Sequence, residues 1–209
     1  MKTKAILGGL ILALVGLGLI FLGCGGAKQA EPYVVGGIFS ISGPASYLGE
    51  PERNSLEMVV EAVNAQGGIN GHPVKLAIYD DEGDVTKARL HATKLAQDKD
   101  CLAVIGPSLT HTSMTALEIT QKAKLPLISC AAGSAITSPA NERVWVFKTA
   151  QTDKMAVERI YQYLQKHNLK QVAILTVSTG FGVAGKEQLL GQASQYGITV
   201  VAQEVFGEK

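Results

Sequence analysis

Residues 74–106 read VKLAIYDDEGDVTKARLHATKLAQDKDCLAVIG, and this segment decides the fold class of the chain. It begins with an apolar run at residues 74–79, continues through a helical pattern at 85–97 and ends in a second apolar run at 102–105. Short runs rich in Val and Ile that are separated by helices are typical of parallel strands buried on both faces. The segment therefore predicts a strand–helix–strand unit of an α/β fold.

The same alternation continues on both sides of this segment. In the first helix, Leu56, Val59, Val60 and Val63 recur at the three- and four-residue steps of one helix face. The predicted strands cover residues 33–41, 74–79, 102–105, 125–129, 144–148, 171–177 and 198–205, and the predicted helices 51–65, 85–97, 113–123, 154–167 and 181–195. The chain thus predicts an α/β fold built on a parallel sheet.

A second series of elements begins after residue 148, where Thr149, Thr152 and Asp153 provide caps for a new helix. We place the boundary there, with an N-terminal α/β lobe at 33–149 and the start of a second α/β lobe at 150–209. That second series holds one strand–helix–strand unit, which cannot bury both faces of its sheet. We therefore expect the second lobe to be incomplete and the chain to be a fragment.

Composition excludes several classes of protein. Hydrophobic residues make up 46% of the 209 residues and charged residues 18%, which argues for a folded core and against disorder. Without Lys2 and Lys4, the remaining 17 basic residues face 18 acidic ones. A nearly neutral body with no run of Lys or Arg is not expected to bind nucleic acid.

The first 24 residues resemble a bacterial lipoprotein signal. Two lysines precede an uncharged apolar stretch at 5–22, which ends in the lipobox-like sequence FLGCGG, and Cys24 is then the lipidation site. Phe21 stands where such signals usually carry leucine. The alternative is an uncleaved membrane helix, because 18 residues approach the ~20 that span a bilayer. Residues 25–32 read as a tether, and either interpretation places the body in the periplasm or cell envelope.

The two other cysteines are not expected to form a disulfide. Cys101 begins one predicted strand and Cys130 follows the end of another, so the thiols lie at opposite ends of one sheet. A five-residue strand is about 16 Å long, whereas bridged Cα atoms lie within roughly 7 Å.

Four loops leave the carboxyl ends of predicted strands, where open α/β sheets bind ligands. They cover residues 40–49, 106–113, 129–138 and 178–185, and all are rich in Gly, Ser, Thr and Ala and free of charged residues. Hydroxyl groups and backbone N–H groups at helix starts suit a carboxylate or another anion. Each residue alone is better explained by turn formation and capping, but the set favours a small-molecule site.

An ordered set of motifs makes a resemblance specific. VVGGIFSISGPASYLG, NAQGGINGHPV, Asp80-Asp81, IGP, LPLIS and GFG occur in this order from Tyr33 onward. The set resembles the leucine/isoleucine/valine-binding protein family of ABC transporters, which has the type I periplasmic binding fold. The resemblance implies two doubly wound parallel-sheet lobes with the ligand in the cleft between them.

The resemblance also implies site residues, several of which depart from the family pattern. Thr110 takes the position of the hydroxyl that contacts the ligand carboxylate, Ala131 that of a backbone contact, and Leu48 and Phe181 those of two tyrosines. Gly133 replaces a threonine for which Ser134 can substitute, and the acid that contacts an amino group would lie beyond Lys209. The predicted ligand-binding residues are Ser42, Tyr47, Leu48, Thr110, His111, Thr112, Ala131, Gly133, Ser134 and Phe181.

The expected function is therefore capture of a small carboxylate-bearing molecule for an ABC transporter permease, with the lobes closing near residues 149–151. A branched-chain or other amino acid fits this site, and so does an aromatic or aliphatic acid. No cofactor, metal or catalytic residue is expected.

Rival functions rest on single motifs. GFGVAG at 180–185 fits the dinucleotide fingerprint G-x-G-x-x-G with Glu204 further on, and would make the chain a lipid-anchored nucleotide-dependent enzyme. His111 and Cys130 allow a nucleophilic pair, and the acids at 80–84 allow a metal, although capping explains them more simply. A sensor module without a ligand is the remaining alternative.

Overall fold

The computed structural model describes residues 30–207. Five parallel strands form the first sheet in the order β2-β1-β3-β4-β5. Their bounds are β1 Tyr33–Phe39, β2 Val74–Asp80, β3 Cys101–Ile105, β4 Leu127–Ser129 and β5 Val146–Lys148, and the helices between them are α1 Ser46–Ala65, α2 Val85–Gln97 and α3 Thr110–Lys122.

The core of the first sheet lies against α2 and α3. Alternate residues of β1 face this side, and Gly36 leaves the space that Leu95 of α2 fills, since a Cβ there would lie 2.6 Å from Leu95 Cδ1. The fully buried members of the cluster include Ile38, Val104 and Leu127. Small residues at the centre of the strand thus allow the helix to approach the sheet closely.

Helix α1 begins earlier than predicted. The sequence indicated a helix over 51–65, but the helix starts at Ser46 and Pro51 lies inside it. Its first turn rests directly on the end of β1, where a Cβ on Gly49 would come within 2.3 Å of the Ser40 backbone. The predicted apolar face was also wrong at Val59, which is exposed, whereas Leu56, Val60 and Val63 are half-buried.

A second, two-stranded parallel sheet follows the crossover at residues 149–152. Its elements are α4 Asp153–Lys166, β6 Gln171–Val177, α5 Gly180–Ala193 and β7 Thr199–Phe206. Val157, Tyr161, Ala193 and Ile198 form a small buried cluster, while Leu175 is 69% exposed. The predicted fold class, α/β with two parallel sheets and an incomplete second one, is confirmed.

The predicted signal segment and Cys24 lie outside the described residues, as does most of the predicted tether. Between residues 30 and 207, no helix combines the length and apolarity that a bilayer crossing requires. Cys101 and Cys130 are both free thiols.

Candidate functional site

The candidate site lies where the strand order of the first sheet reverses. The chain leaves β1 toward β2 on one side and then returns to β3 on the other, so β1 and β3 are neighbours. The loops that follow these two strands therefore diverge and leave a crevice at the carboxyl edge of the sheet. Ser108 and Leu109 line this crevice, and we call these two residues, together with Ser40, which is hydrogen-bonded to Ser108, its floor.

Two aspartates at the end of β2 hold the loop after β1. Asp80 accepts hydrogen bonds through Oδ1 from Ile41 N (2.9 Å) and through Oδ2 from Ser42 Oγ (2.6 Å), and buried Asp81 accepts one from Ser40 Oγ (2.7 Å). Burial acts to raise the pKa of Asp80, but hydrogen bonds from Ser42, Glu82 and Ile41 outweigh it and hold the pKa below its ordinary value. Asp84 caps α2 through Lys87 N. These aspartates thus hold the loop after β1 and the start of α2 in place.

A hydrogen-bonded chain links the loops after β1 and β3. Ser108 Oγ accepts from Ser40 N at 3.1 Å and donates to Glu52 Oε2 at 2.5 Å. Burial raises the pKa of the Glu52 carboxyl, the bond from Ser108 opposes this, and the negative charge of Asp81 adds to it. The carboxylate of Glu52 is therefore oriented by the same serine that joins the two loops.

Above this floor lies a cleft of about 510 Å³, a size that suits a small ligand. Its walls come from the start of α1, from the loops after β3 and β4, from the crossover and from the start of α5. The lining residues are Tyr47, Leu48, Glu52, Ser108, Leu109, Thr110, His111, Cys130, Ala131, Ala132, Ala150, Gln151, Val177, Thr179 and Phe181.

The cleft brings together six of the ten residues that the sequence indicated. Thr110 Oγ1 accepts a hydrogen bond from Gly133 N at 3.3 Å and can still donate its own proton to a ligand. Ala131 N donates to Ser129 Oγ at 3.1 Å, and His111 Nε2 bonds to Gly83 O at 2.9 Å. Tyr47 and Phe181 are 72% and 53% exposed. The six are Tyr47, Leu48, Thr110, His111, Ala131 and Phe181.

The other four predicted residues are not part of the lining, and each has a partner elsewhere. Ser42 gives its hydroxyl to Asp80, and fully buried Thr112 gives its hydroxyl to Leu109 O at 3.1 Å. Gly133 lies against Thr110, where a Cβ would come within 2.3 Å of Cγ2, and Ser134 N donates to Asp153 Oδ2 at 3.2 Å. These residues support the loops of the cleft.

Comparison with known proteins agrees with this architecture. The family profile described as "Periplasmic binding protein" matches residues 32–207. The chain belongs to the periplasmic binding protein family. The resemblance found in the sequence is thereby confirmed.

Several known members of the family are similar to this chain over part of their length. The Leu/Ile/Val-binding protein of Escherichia coli K12 is 31% identical over 131 residues, which are 63% of this chain and 33% of that protein. A periplasmic binding protein type 1 from Bordetella pertussis Tohama I superposes with a TM-score of 0.79 at 26% identity, covering 85% of this chain and 49% of that one. An extracellular ligand-binding receptor from Rhodopseudomonas palustris gives 0.76 at 29%, covering 86% and 47%. The chain thus spans at most about half the length of these relatives.

The part of the cleft wall formed by β6 and the start of α5, which we call the second wall, contains the glycines of the GFGVAG motif. Packing explains two of these glycines. A Cβ on Gly182 would lie 1.9 Å from Val177 O, so the start of α5 approaches the end of β6 as only glycine permits. A Cβ on Gly180 would lie 3.3 Å from His111 N, at the start of α3. Around Gly185 there is open space. The first two glycines therefore have structural reasons that need no nucleotide.

Two charged residues of the crossover region hold the loop at 131–134. Lys148 Nζ donates to the carbonyl oxygens of Ala132 and Gly133, and Asp153 accepts from Ser134 N. Burial lowers the pKa of Lys148 and raises that of Asp153, and in each case the charge of the other residue acts in the opposite direction. The loop that carries Ala131 is thus fastened from both ends of the crossover.

The cysteine of the proposed nucleophilic pair is poorly suited to catalysis. Burial, with a further contribution from Glu52, raises the pKa of Cys130 to about 12. The thiolate is the reactive form, so Cys130 stays protonated at neutral pH. Among residues 30–207, no group of three His, Cys, Asp or Glu side chains could hold a metal ion.

Nine lining residues are not among the ten predicted ones. Five of them lie in the predicted loops, namely Ser108, Leu109, Cys130, Ala132 and Thr179, and four lie outside those loops, namely Glu52, Ala150, Gln151 and Val177. Glu52 lies one helical turn after Leu48, on the same helix face. A correct start for α1 would have placed it beside the predicted Leu48. The signal was present in the spacing, and the interpretation of Pro51 as a helix start hid it.

Proposed function

We propose that this protein is the extracytoplasmic solute-binding component of an ABC importer and that its cleft captures a small carboxylate-bearing ligand. One observation carries the proposal. A hydroxyl on Thr110 and uncharged loops from both sheets line a cleft at the switch point, and no Lys or Arg is among the lining residues that the structure describes. Such a site binds a carboxylate through hydroxyl and backbone donors.

The relatives support the chemical class of the ligand. The E. coli protein carries leucine, isoleucine and valine in its name, and the R. palustris protein is named as a ligand-binding receptor. A branched-chain or other amino acid fits the cleft in size, and so does an aromatic or aliphatic acid. Tyr47 on α1 and Phe181 on α5 offer rings for the apolar part of either ligand.

Closure of the two lobes about the crossover at 149–152 would complete the function. Residues of both sheets line the cleft, so a ligand between them stabilises their approach. A permease would then recognise the surface that only the closed form presents.

A lipid on Cys24 would keep the protein at the membrane. Metabolic labelling of wild type and Cys24→Ala with a radioactive fatty acid tests this part of the proposal, since only the wild type should be labelled.

Calorimetry and thermal shift with the protein lacking only residues 1–24 test the binding proposal. The panel contains the amino acids, aromatic and aliphatic acids, and NAD. A ligand at a hundredfold excess over Kd stabilises the folded state by about 2.7 kcal/mol. Thr110→Val should weaken binding of the active carboxylate about tenfold or more, because it removes a hydrogen bond to a charged group.

Thr120→Val is the matched control, since Thr120 is fully buried on the same helix and bonds to Ala116 O, away from the cleft. It should leave the affinity unchanged. A shift with NAD alone would replace the transport proposal by the nucleotide-dependent enzyme. A well-folded protein that binds no member of the panel would contradict carboxylate capture and favour the sensor without a ligand.

A further inference from the structure

Glu52 is the one acidic side chain among the described residues that line the cleft. It comes from α1, outside the four uncharged loops that the sequence indicated. No Lys or Arg lines the described cleft to balance its charge. The site therefore holds a fixed carboxylate and, on the proposed function, must also accept the carboxylate of a ligand.

The position of Glu52 is set by the floor of the cleft. Ser108 Oγ donates to Glu52 Oε2 at 2.5 Å, and Ser40 N donates to Ser108 Oγ at 3.1 Å. The Ser108 hydroxyl has one proton, so it satisfies one lone pair of one carboxylate oxygen. Further acceptor capacity of the carboxylate remains for a donor that a ligand brings.

Ser108, which holds Glu52, lies in the loop after β3, close in the chain to the predicted carboxylate anchor Thr110. Ser108, which orients Glu52, stands two residues before Thr110 in the chain. Two residues of extended backbone span about 7 Å at most, so the Cα atoms of Ser108 and Thr110 lie within that distance. Glu52 and Thr110 both line the same cleft of about 510 Å³, so one small molecule can meet an acceptor and a donor there.

Charge decides which molecule this arrangement suits. When a ligand displaces water from the cleft, two carboxylates in the same cleft repel each other in a medium of lowered dielectric. His111 is the one basic side chain in the described lining, and its Nε2 is committed to Gly83 O. A ligand that carries its own ammonium group removes the imbalance, because that group can bind Glu52 directly.

We propose that Glu52 is a specificity-determining residue that receives the cationic amino group of the ligand, so that the cleft selects a zwitterion over the corresponding simple acid. This inference rests on the proposed function and sharpens it. The sequence had placed an acid for the amino group beyond Lys209, in the second lobe. Glu52 supplies such an acid from the first lobe.

The experiment compares each amino acid that binds with its deaminated analogue, for example leucine with 4-methylpentanoate and phenylalanine with 3-phenylpropanoate. Calorimetry with the full-length protein at neutral pH measures both affinities. Wild type should bind the amino acid at least about tenfold more tightly than the acid, since a charge-assisted hydrogen bond is at stake. Glu52→Gln should abolish most of this preference by weakening the amino acid while leaving the acid within about twofold or improving it.

Glu57→Gln is the matched control. Glu57 lies on the same helix in an exposed ion pair with Arg53 at 3.9 Å and does not line the cleft, so the preference should persist. Glutamine at position 52 can still accept from Ser108, which favours folding. Ser108→Ala removes the hydrogen bond that orients the Glu52 carboxylate but keeps its charge. It should lower the preference for the amino acid over the deaminated acid by a smaller factor, and it replaces Glu52→Gln as the test if that variant does not fold.

The results separate the two proposals. A wild-type protein that prefers the deaminated acids, or a Glu52→Gln variant with an unchanged preference, overturns the role of Glu52 and leaves carboxylate capture intact. A protein that binds neither set contradicts carboxylate capture itself, and the role of Glu52 fails with it.

Discussion

The two sheets of this chain differ in how completely they are covered. The five-stranded sheet has a continuous core in which Ile38, Val104 and Leu127 are fully buried. The two-stranded sheet has a smaller cluster around Tyr161 on one side, and Leu175 and Phe206 remain exposed. Because buried apolar area drives folding, the first lobe holds most of the stability of the chain.

The same difference divides the work of the cleft. Its first wall, formed by the start of α1 and the loops of the first sheet, is held by hydrogen bonds that Asp80 and Asp81 accept and Ser108 donates, and it carries Glu52 and Thr110. The second wall contributes Val177, Thr179 and Phe181, of which Phe181 is largely exposed. Among the described residues, the polar support and the one acidic side chain of the lining thus belong to the first wall.

The largest expected effect comes from truncating one leucine in each sheet. Leu127→Ala should lower the free energy of unfolding by about 2–5 kcal/mol, because it leaves a cavity in the core of the first sheet. Leu175→Ala should change it by less than about 0.5 kcal/mol, because the side chain is 69% exposed. Urea unfolding followed by circular dichroism measures both. Equal losses in the two variants would contradict the contrast between the sheets.

An intermediate effect is expected from the polar support of the first wall. Asp80→Asn should cost about 1–2 kcal/mol at pH 7, because the charge-assisted bonds to Ile41, Ser42 and Glu82 weaken. The pKa of Asp80 is lowered in the folded state. Its contribution is therefore fully present above the ordinary value of 3.8 and is lost as the pH falls through the folded-state pKa.

Urea titrations of wild type and Asp80→Asn at pH 7 and pH 3 test this dependence. The difference between the two proteins should shrink at the lower pH. A difference that is equal at both pH values would show that ionisation of Asp80 plays no part.

Glu52 provides an internal contrast, since its raised pKa makes the ionised carboxylate a cost to stability above its ordinary value of 4.5. Glu52→Gln should therefore be neutral or stabilising at pH 7.

Most of the fold could be predicted from the sequence because the strands are short apolar runs between clear helical patterns. The strand at 171–177 and the helix at 85–97 were predicted with the bounds that the structure has. The main error was the start of α1, which lies at Ser46 and not at Pro51. The first turn of the helix includes Gly49, which lies against the backbone of Ser40. Such a contact between distant residues leaves no local pattern in the sequence.

The candidate site could be predicted only in part for the same reason. Loop residues such as Thr110 and Ala131 follow from strand ends, because the carboxyl edge of a parallel sheet is where ligands bind. Ser42 and Thr112 lie in the same kind of predicted loop, yet their hydroxyls donate to Asp80 and to the carbonyl oxygen of Leu109. Which loop hydroxyls face the cleft depends on how the loop backbone folds, and the composition of the loop does not reveal that. Direct ligand contact by the predicted residues therefore remains a prediction.

The smallest expected effect is a gain of stability in the second lobe. Gly191 is exposed and lies in the last turn of α5, where a Cβ would meet no atom within 4 Å. Gly191→Ala should stabilise the helix by roughly 0.5–1 kcal/mol, because alanine loses less backbone entropy on folding. If the second lobe is the weaker one, amide exchange measured by mass spectrometry should slow in α5 while exchange in β1 and β3 stays unchanged. Equal slowing in both lobes would instead show that they unfold as one cooperative unit, and the contrast between the sheets would then concern packing alone.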